Sequence, residues 1–306
     1  MMQVSEWPAL FTAMATPFQP DGTLDVGGAE DLARVLAEES APGLVVAGTT
    51  GEGPTLSAAE RRELFRAVRA GTKRRVPLFM STGHHDTRQA VELSREAELF
   101  GADGIMVVAP YYNKPPQAGL EAHFDAVLRA VRCPVMLYNV PGRTGVSVEP
   151  DTVLRLLRRW PHLKLVKEAA GRVEPIARLA AEAPPGRTIL TGDDPLLLPA
   201  LAVGAGGVVS VAANVAAPVM TALMEAYAAG RVREACERFW QFSRLCRELF
   251  RLTNPIGIKH ALNLVGRPAG PLRLPLVEPG GYDWTPLDRL IDGLLGRPLA
   301  ESTGVH

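Results

Sequence analysis

The stretch G-I-M-V-V-A-P, residues 104–110, followed by Y-Y-N-K-P-P-Q-A-G-L-E-A-H-F-D-A-V-L-R-A-V, residues 111–131, decides the fold. The first segment is a short, continuous apolar run. The second opens as a polar, proline-rich loop and ends with Phe124, Val127, Leu128 and Val131 at helical spacing. A continuously apolar strand followed by an amphipathic helix is the signature of a parallel sheet covered on its outer face.

The same unit recurs along the chain. Candidate strands lie at 11–17 (F-T-A-M-A-T-P), 43–48 (G-L-V-V-A-G), 76–83 (V-P-L-F-M-S-T-G), 134–140 (P-V-M-L-Y-N-V), 164–169 (K-L-V-K-E-A), 188–193 (T-I-L-T-G-D) and 207–213 (G-V-V-S-V-A-A). With 104–110 these make eight. Intervening helices open on capping chemistry, S-A-A-E at Ser57 to Glu60 and D-T-R-Q at Asp86 to Gln89, and carry apolar stripes such as Leu64, Phe65 and Val68. Eight repeats predict closure into a (β/α)8 TIM barrel, where an open doubly wound sheet typically has fewer strands. From about Arg231 the pattern changes to helices without strands, in the segments 234–250 and 256–265. The expected organisation is a catalytic barrel over residues 1–230 and a C-terminal helical region over 231–306.

Composition narrows the function. The 306 residues are 47% hydrophobic, and 33 basic residues balance 33 acidic ones. No basic surplus invites nucleic acid or an anionic membrane. Cys133, Cys236 and Cys246 are odd in number and lack CxxC spacing, which fits a reducing compartment and neither a disulfide framework nor a zinc knuckle. The N-terminal M-M-Q-V-S-E-W-P lacks the basic and apolar regions of a secretory signal. A cytoplasmic location is the expectation. Residues 195–224 carry no charge, but Pro195, Pro199, Gly204, Gly206, Gly207, Asn214 and Pro218 divide the run into pieces too short to span a bilayer.

Chemistry in such barrels gathers at the C-terminal ends of the strands. Five polar clusters fall there: G-T-T-G-E, P-Y-Y-N-K-P, Y-N-V-P-G-R-T-G, Lys167, and G-D-D. Lys167 follows Leu165 and Val166. A lysine held among apolar neighbours at a barrel mouth loses hydration, its pKa falls, and the neutral amine attacks a ketone to form a Schiff base. Tyr138, at the end of the adjacent strand, offers a phenol for proton transfer. Thr49 and Thr50, between glycines, offer hydroxyls and backbone N–H groups to a carboxylate. Glu168 is expected to point away from the lysine by strand alternation.

These residues, with A-T-P-F (15–18), N-P-I-G-I-K (254–259) and P-L-R-L-P (271–275), make essentially the whole chain resemble the dihydrodipicolinate synthase and N-acetylneuraminate lyase family of class I aldolases. By resemblance, Lys167 is the Schiff-base lysine, Tyr138 the proton shuttle, Thr49 its relay and Thr50 a binder of the pyruvate carboxylate. Tyr112 corresponds to a tyrosine contributed across a subunit interface. Gly192 and Val209 correspond to positions whose backbone lies near the substrates. Arg143 corresponds to the arginine that holds an acidic aldehyde, and a guanidinium matches a carboxylate in bidentate geometry. Family members acting on sialic acid or sugar acids generally lack that arginine. The implied reaction joins pyruvate to aspartate semialdehyde, with no metal or organic cofactor, in a homotetramer built from tight dimers. Keto-deoxy sugar acid aldolase or N-acetylneuraminate lyase activity is the alternative. Lysine-inhibited members carry an asparagine and a glutamate where this chain has His85 and Gln89, so insensitivity to lysine is expected.

Two other classes are distinguishable. His84-His85-Asp86 raises a zinc-dependent aldolase, but adjacent histidines on an extended segment point opposite ways and Asp86 is expected to cap a helix. Asp193 and Asp194 raise magnesium, although Asp194 before Pro195 reads as a helix N-cap. A non-catalytic keto-acid sensor would not need the lysine, tyrosine, threonine and arginine together.

Overall fold

The computed structural model describes residues 7–39 and 43–295. The N-terminal segment 1–6, read above for a secretory signal, and residues 296–306 of the C-terminal region lie outside the described residues. In chain order the elements are β1 (Leu10–Ala13), α1 (Val26–Glu38), β2 (Leu44–Val46), α2 (Ala58–Thr72), β3 (Leu78–Ser81), α3 (Thr87–Leu99), β4 (Gly104–Val108), α4 (Gln117–Ala130) and β5 (Val135–Asn139). They continue with α5 (Pro141–Thr144), α6 (Pro150–Arg159), β6 (Leu163–Glu168), α7 (Val173–Glu182), β7 (Thr188–Thr191), α8 (Leu197–Ala202), β8 (Gly207–Ser210) and α9 (Ala213–Ala228). Three further helices follow, α10 (Val232–Leu249), α11 (Ile256–Leu264) and α12 (Thr285–Leu295). All strand pairs are parallel, each strand lies beside the next, and Phe11 of β1 pairs with Val209 of β8 to close the barrel. Seven of the eight strands are shorter than the stretches quoted above, and β6, at six residues, is as long as its own.

Inside the barrel Phe11, Phe79, Met106, Met136, Leu165, Leu190 and Val209 fill the lower layers, with Phe11 and Phe79 edge to face at 5.3 Å. The interior is therefore packed below and open only at the mouth. Outside, the helical stripes face the strands: Leu64, Phe65 and Val68 of α2, and Phe124, Val127 and Leu128 of α4, are buried.

One irregularity sets which side chains reach the mouth of the barrel. Val135 pairs with Leu163 but Met136 pairs with Leu165, so Lys164 is an extra residue on β6. Strict alternation from the outward Leu163 would send residue 167 outward too. A one-residue slip exchanges the faces of everything beyond it. Past the bulge, Leu165 and Lys167 face inward and Glu168 faces outward, with Tyr138 opposite Lys167 and Asn139 opposite Glu168.

Helix starts follow the sequence unevenly. Ser57 and Glu60 form a complete capping box on α2. Asp86 caps α3 by accepting from the Arg88 N–H, but Gln89 turns to Glu92 and no box closes. Asp194 is not the cap expected of it. It lies at the first position of the turn 194–196, and its carboxylate accepts the Val211 and Ala212 N–H groups at 2.9 and 3.0 Å, at the start of α9. The uncharged run 195–224 contains α8, β8 and α9, and among the described residues no helix is long and apolar enough to cross a membrane.

The boundary expected at 230/231 falls in the turn between α9 and α10. The region beyond it is tied back to the rim by buried charge. Lys259 of α11 and Glu52 form an ion pair at 2.8 Å with both side chains almost fully buried. Glu52 also accepts the Arg273 N–H at 2.8 Å, and the two cations lie 4.2 and 4.0 Å from the centre of the Phe18 ring.

Candidate active site

A cavity of about 270 Å3 opens at the C-terminal mouth of the barrel. Of the eight residues singled out above, Lys167, Tyr138, Thr49, Thr50, Arg143 and Gly192 line it. Lys167 is buried to 5% exposure, and its Nζ lies 4.2 Å from the centre of the Tyr138 ring. Burial pulls the ammonium down to about 8, partly opposed by Asp193 and Asp194, while Arg143 pushes the same way as burial. At pH 7 the neutral fraction is thus about a tenth, far more than in a solvated lysine. Burial pushes the Tyr138 phenol up to about 12, so it stays protonated, and the Thr49 side chain hydrogen-bonds to it.

Gly192 follows β7 and passes directly over the lysine stem. A Cβ there would stand 2.7 Å from Lys167 Cε and 2.7 Å from the Ala169 Cβ, so only glycine leaves the lysine its place. Its N–H donates to the Glu168 carbonyl at 2.7 Å. Thr49 and Thr50 sit on a tight loop in which Glu52 adopts left-handed φ of 50° and Gly53 passes so close to the Ala47 carbonyl that a Cβ would collide with it. The Glu52–Lys259 pair holds that conformation from outside the cavity. Arg143, on α5, is exposed at the rim, and its Nη2 donates to the Asn254 carbonyl at 3.1 Å.

Two of the eight residues are not at the cavity. Val209 lies a layer deeper in the packed interior, and Val211, two residues on, lines the cavity instead. Tyr112 is 87% exposed with φ of 72°, an unfavourable backbone for a bulky residue, and is not among the residues lining this chain's own cavity. Among the lining residues that were missed, Phe250, Leu252, Thr253 and Asn254 come from the segment between α10 and α11. The Asn254 Nδ2 donates to the Thr50 hydroxyl at 3.0 Å. The motif N-P-I-G-I-K carried the signal, since an asparagine before proline ahead of an apolar helix has a turn to make, but nothing local says which loop it meets.

The histidine pair also differs from expectation. His84 and His85 stack at 4.2 Å instead of diverging, because the chain bends at His85–Asp86. His84 Nδ1 accepts the Asp86 N–H, and Tyr111 packs against both rings. Among the described residues no group of three or more His, Cys, Asp or Glu side chains is arranged to hold a metal ion.

Residues 7–281 match the model of the dihydrodipicolinate synthetase family. The chain belongs to that family. A 4-hydroxy-tetrahydrodipicolinate synthase of Moorella thermoacetica is 45% identical over 272 residues, 89% of this chain and 93% of that protein. One of Symbiobacterium thermophilum is 46% identical over 88% of this chain and 92% of the relative. The crystal structure of the Cyanidioschyzon merolae enzyme with lysine bound superposes with a TM-score of 0.92 at 38% identity, covering 95% of this chain and 99% of that one.

Proposed function

We infer that the chain is a 4-hydroxy-tetrahydrodipicolinate synthase, a lyase condensing pyruvate with L-aspartate 4-semialdehyde in lysine and diaminopimelate biosynthesis. The observation that carries this reading is the buried amine of Lys167 against the Tyr138 ring, in a cavity whose rim presents Arg143. The names of relatives at 42–46% identity over most of the chain support the same substrate pair.

The neutral amine of Lys167 adds to the pyruvate ketone. Tyr138, relayed by Thr49, gives the proton that lets water leave, and an imine forms. Loss of a methyl proton turns the imine into an enamine, which attacks the aldehyde carbon and leaves a hydroxyl there. The amino group of the semialdehyde then displaces Lys167 from the imine carbon, closing the ring and freeing the enzyme. Thr50 holds the pyruvate carboxylate, and Arg143 the carboxylate of the second substrate. Gly192 provides the gap through which the lysine stem rises. Tyr112 reaches the site of a neighbouring subunit in a cytoplasmic homotetramer, which accounts for its exposed, strained position. His85 and Gln89 are both exposed and carry no carboxylate for a lysine ammonium, so turnover is insensitive to lysine.

Borohydride added with pyruvate is the test. A stable adduct on Lys167, absent from Lys167→Ala, is expected, and turnover should follow with aspartate semialdehyde but not with N-acetylmannosamine or glyceraldehyde. An enzyme that turns over without a reducible adduct would overturn the imine.

A further inference from the structure

Behind the lysine, on the outer face of the sheet, lies a second pair that the reaction does not use. The bulge at Lys164 leaves β5 and β6 with Tyr138 opposite Lys167 inside and Asn139 opposite Glu168 outside. The outer pair one residue earlier, Leu137 and Val166, is apolar, and apolar contact alone specifies height along a strand weakly. Asn139 and Glu168 do so by complementary groups. The Asn139 Nδ2 donates to both carboxylate oxygens of Glu168, at 3.1 and 3.0 Å. Both side chains are 1% exposed.

The pair reaches further than its own two strands. Glu168 Oε1 accepts the Ala170 N–H at 3.0 Å, fixing the turn that follows the lysine. Asn139 Oδ1 accepts the Val148 N–H at 2.9 Å, holding the segment that follows α5 and so the base of the loop bearing Arg143. The backbone of the same two residues accepts from Ala169 and from Gly192, which ties in β7. A carboxylate this deep costs stability as an anion, and burial pushes Glu168 up to about 7 against the pull of Asn139 and the Ala170 N–H. Retaining it there is the cost of a directional bond that no apolar pair provides.

We propose that Glu168 and Asn139 are positioning residues: their side-chain pair fixes the height of Lys167 against Tyr138 and sets the Arg143 loop against both. The proposal rests on the imine reading above.

The test exploits the pair's polarity. In Glu168→Gln an amide NH2 faces the Asn139 NH2, so at most one of the two bonds survives. The expected result is a loss of about tenfold or more in the rate constant of pyruvate-dependent borohydride trapping per folded molecule, with kcat falling alongside. The double variant Asn139→Asp with Glu168→Gln exchanges donor and acceptor. It keeps an acceptor for Val148 and another for Ala170, and should return the rate to within about threefold of the parent. A merely structural pair would lower the melting temperature and the folded fraction but leave the rate constant per folded molecule unchanged. Trapping in E168Q within about twofold of the parent overturns the proposal, as does a folded double variant no faster than E168Q. Should E168Q fail to fold, the double variant decides: a folded, fast protein supports the pair, and a slow or unfolded one overturns it. Absence of trapping in the parent overturns the imine reading and the proposal together, which separates the two failures.

Discussion

Replacing Gly192 with alanine adds one methyl group and should cost both stability and, per folded molecule, about a hundredfold in rate. The added Cβ would stand 2.7 Å from Lys167 Cε and 3.1 Å from its Cγ. Carbon atoms pack best at about 3.5–4.0 Å, so the lysine stem must retreat by about 1 Å. Backbone cannot yield instead, because the Gly192 N–H is held by the Glu168 carbonyl at 2.7 Å. Overpacking of this kind costs about 1–3 kcal/mol, toward the upper figure here because the Ala169 Cβ, 2.7 Å from the added carbon, cannot swing aside as the lysine stem can. The reacting nitrogen, in contrast, is carried away from Tyr138, and a misplacement of about 1 Å is worth about a hundredfold in rate. Single-turnover borohydride trapping with pyruvate measures the second quantity and denaturant unfolding the first. A trapping rate within about threefold of the parent, in a variant that folds, would refute the claim that the glycine exists to clear the lysine.

The amine supplies a prediction with a definite sign. Imine formation should rise about tenfold per pH unit up to about 8 and then level, because only the neutral form attacks. For stability, an unfolded lysine keeps its proton to about 10.4, so the folded state binds fewer protons between about 8 and that value, and stability rises with pH across the window. Lys167→Met should therefore be more stable than the parent at pH 7, by up to roughly 3 kcal/mol in urea melts, with the gap closing toward pH 10; a less stable variant contradicts a desolvated ammonium. Lys259→Met removes one partner of a buried ion pair and should cost about 3–5 kcal/mol in the same melts, part of it returned by adding Glu52→Gln; a loss below about 1 kcal/mol would mean the pair is idle.

What the sequence revealed and what it hid divide along one physical line. The eight strands were legible because a strand buried on both faces is apolar throughout, as in G-I-M-V-V and P-V-M-L-Y, and helices on the outer face carry a stripe. Lys167 was legible because a charge inside such a run is out of place. The bulge at Lys164 was not, since an extra residue in a strand leaves no mark on composition. Glu52 and Lys259 each look like an ordinary solvated charge, and only the fold buries them together. Asp194 was misread for the same reason: its carboxylate serves N–H groups at Val211 and Ala212, beyond the reach of any local rule. Asn254 stood in a quoted motif, yet its partner Thr50 is 204 positions away.

That separation has a consequence for how the molecule comes into being. A ribosome that has released all eight strands has still to make the stretch containing Phe250, Leu252, Thr253 and Asn254. At about 5–20 residues per second, those residues emerge some seconds after β8. Through that interval Lys167 lacks these four lining residues, and Thr50 lacks the amide that donates to its hydroxyl. On the imine reading, the site is therefore completed only near the end of translation, and a premature stop after α9 removes these four lining residues and the Asn254 amide together.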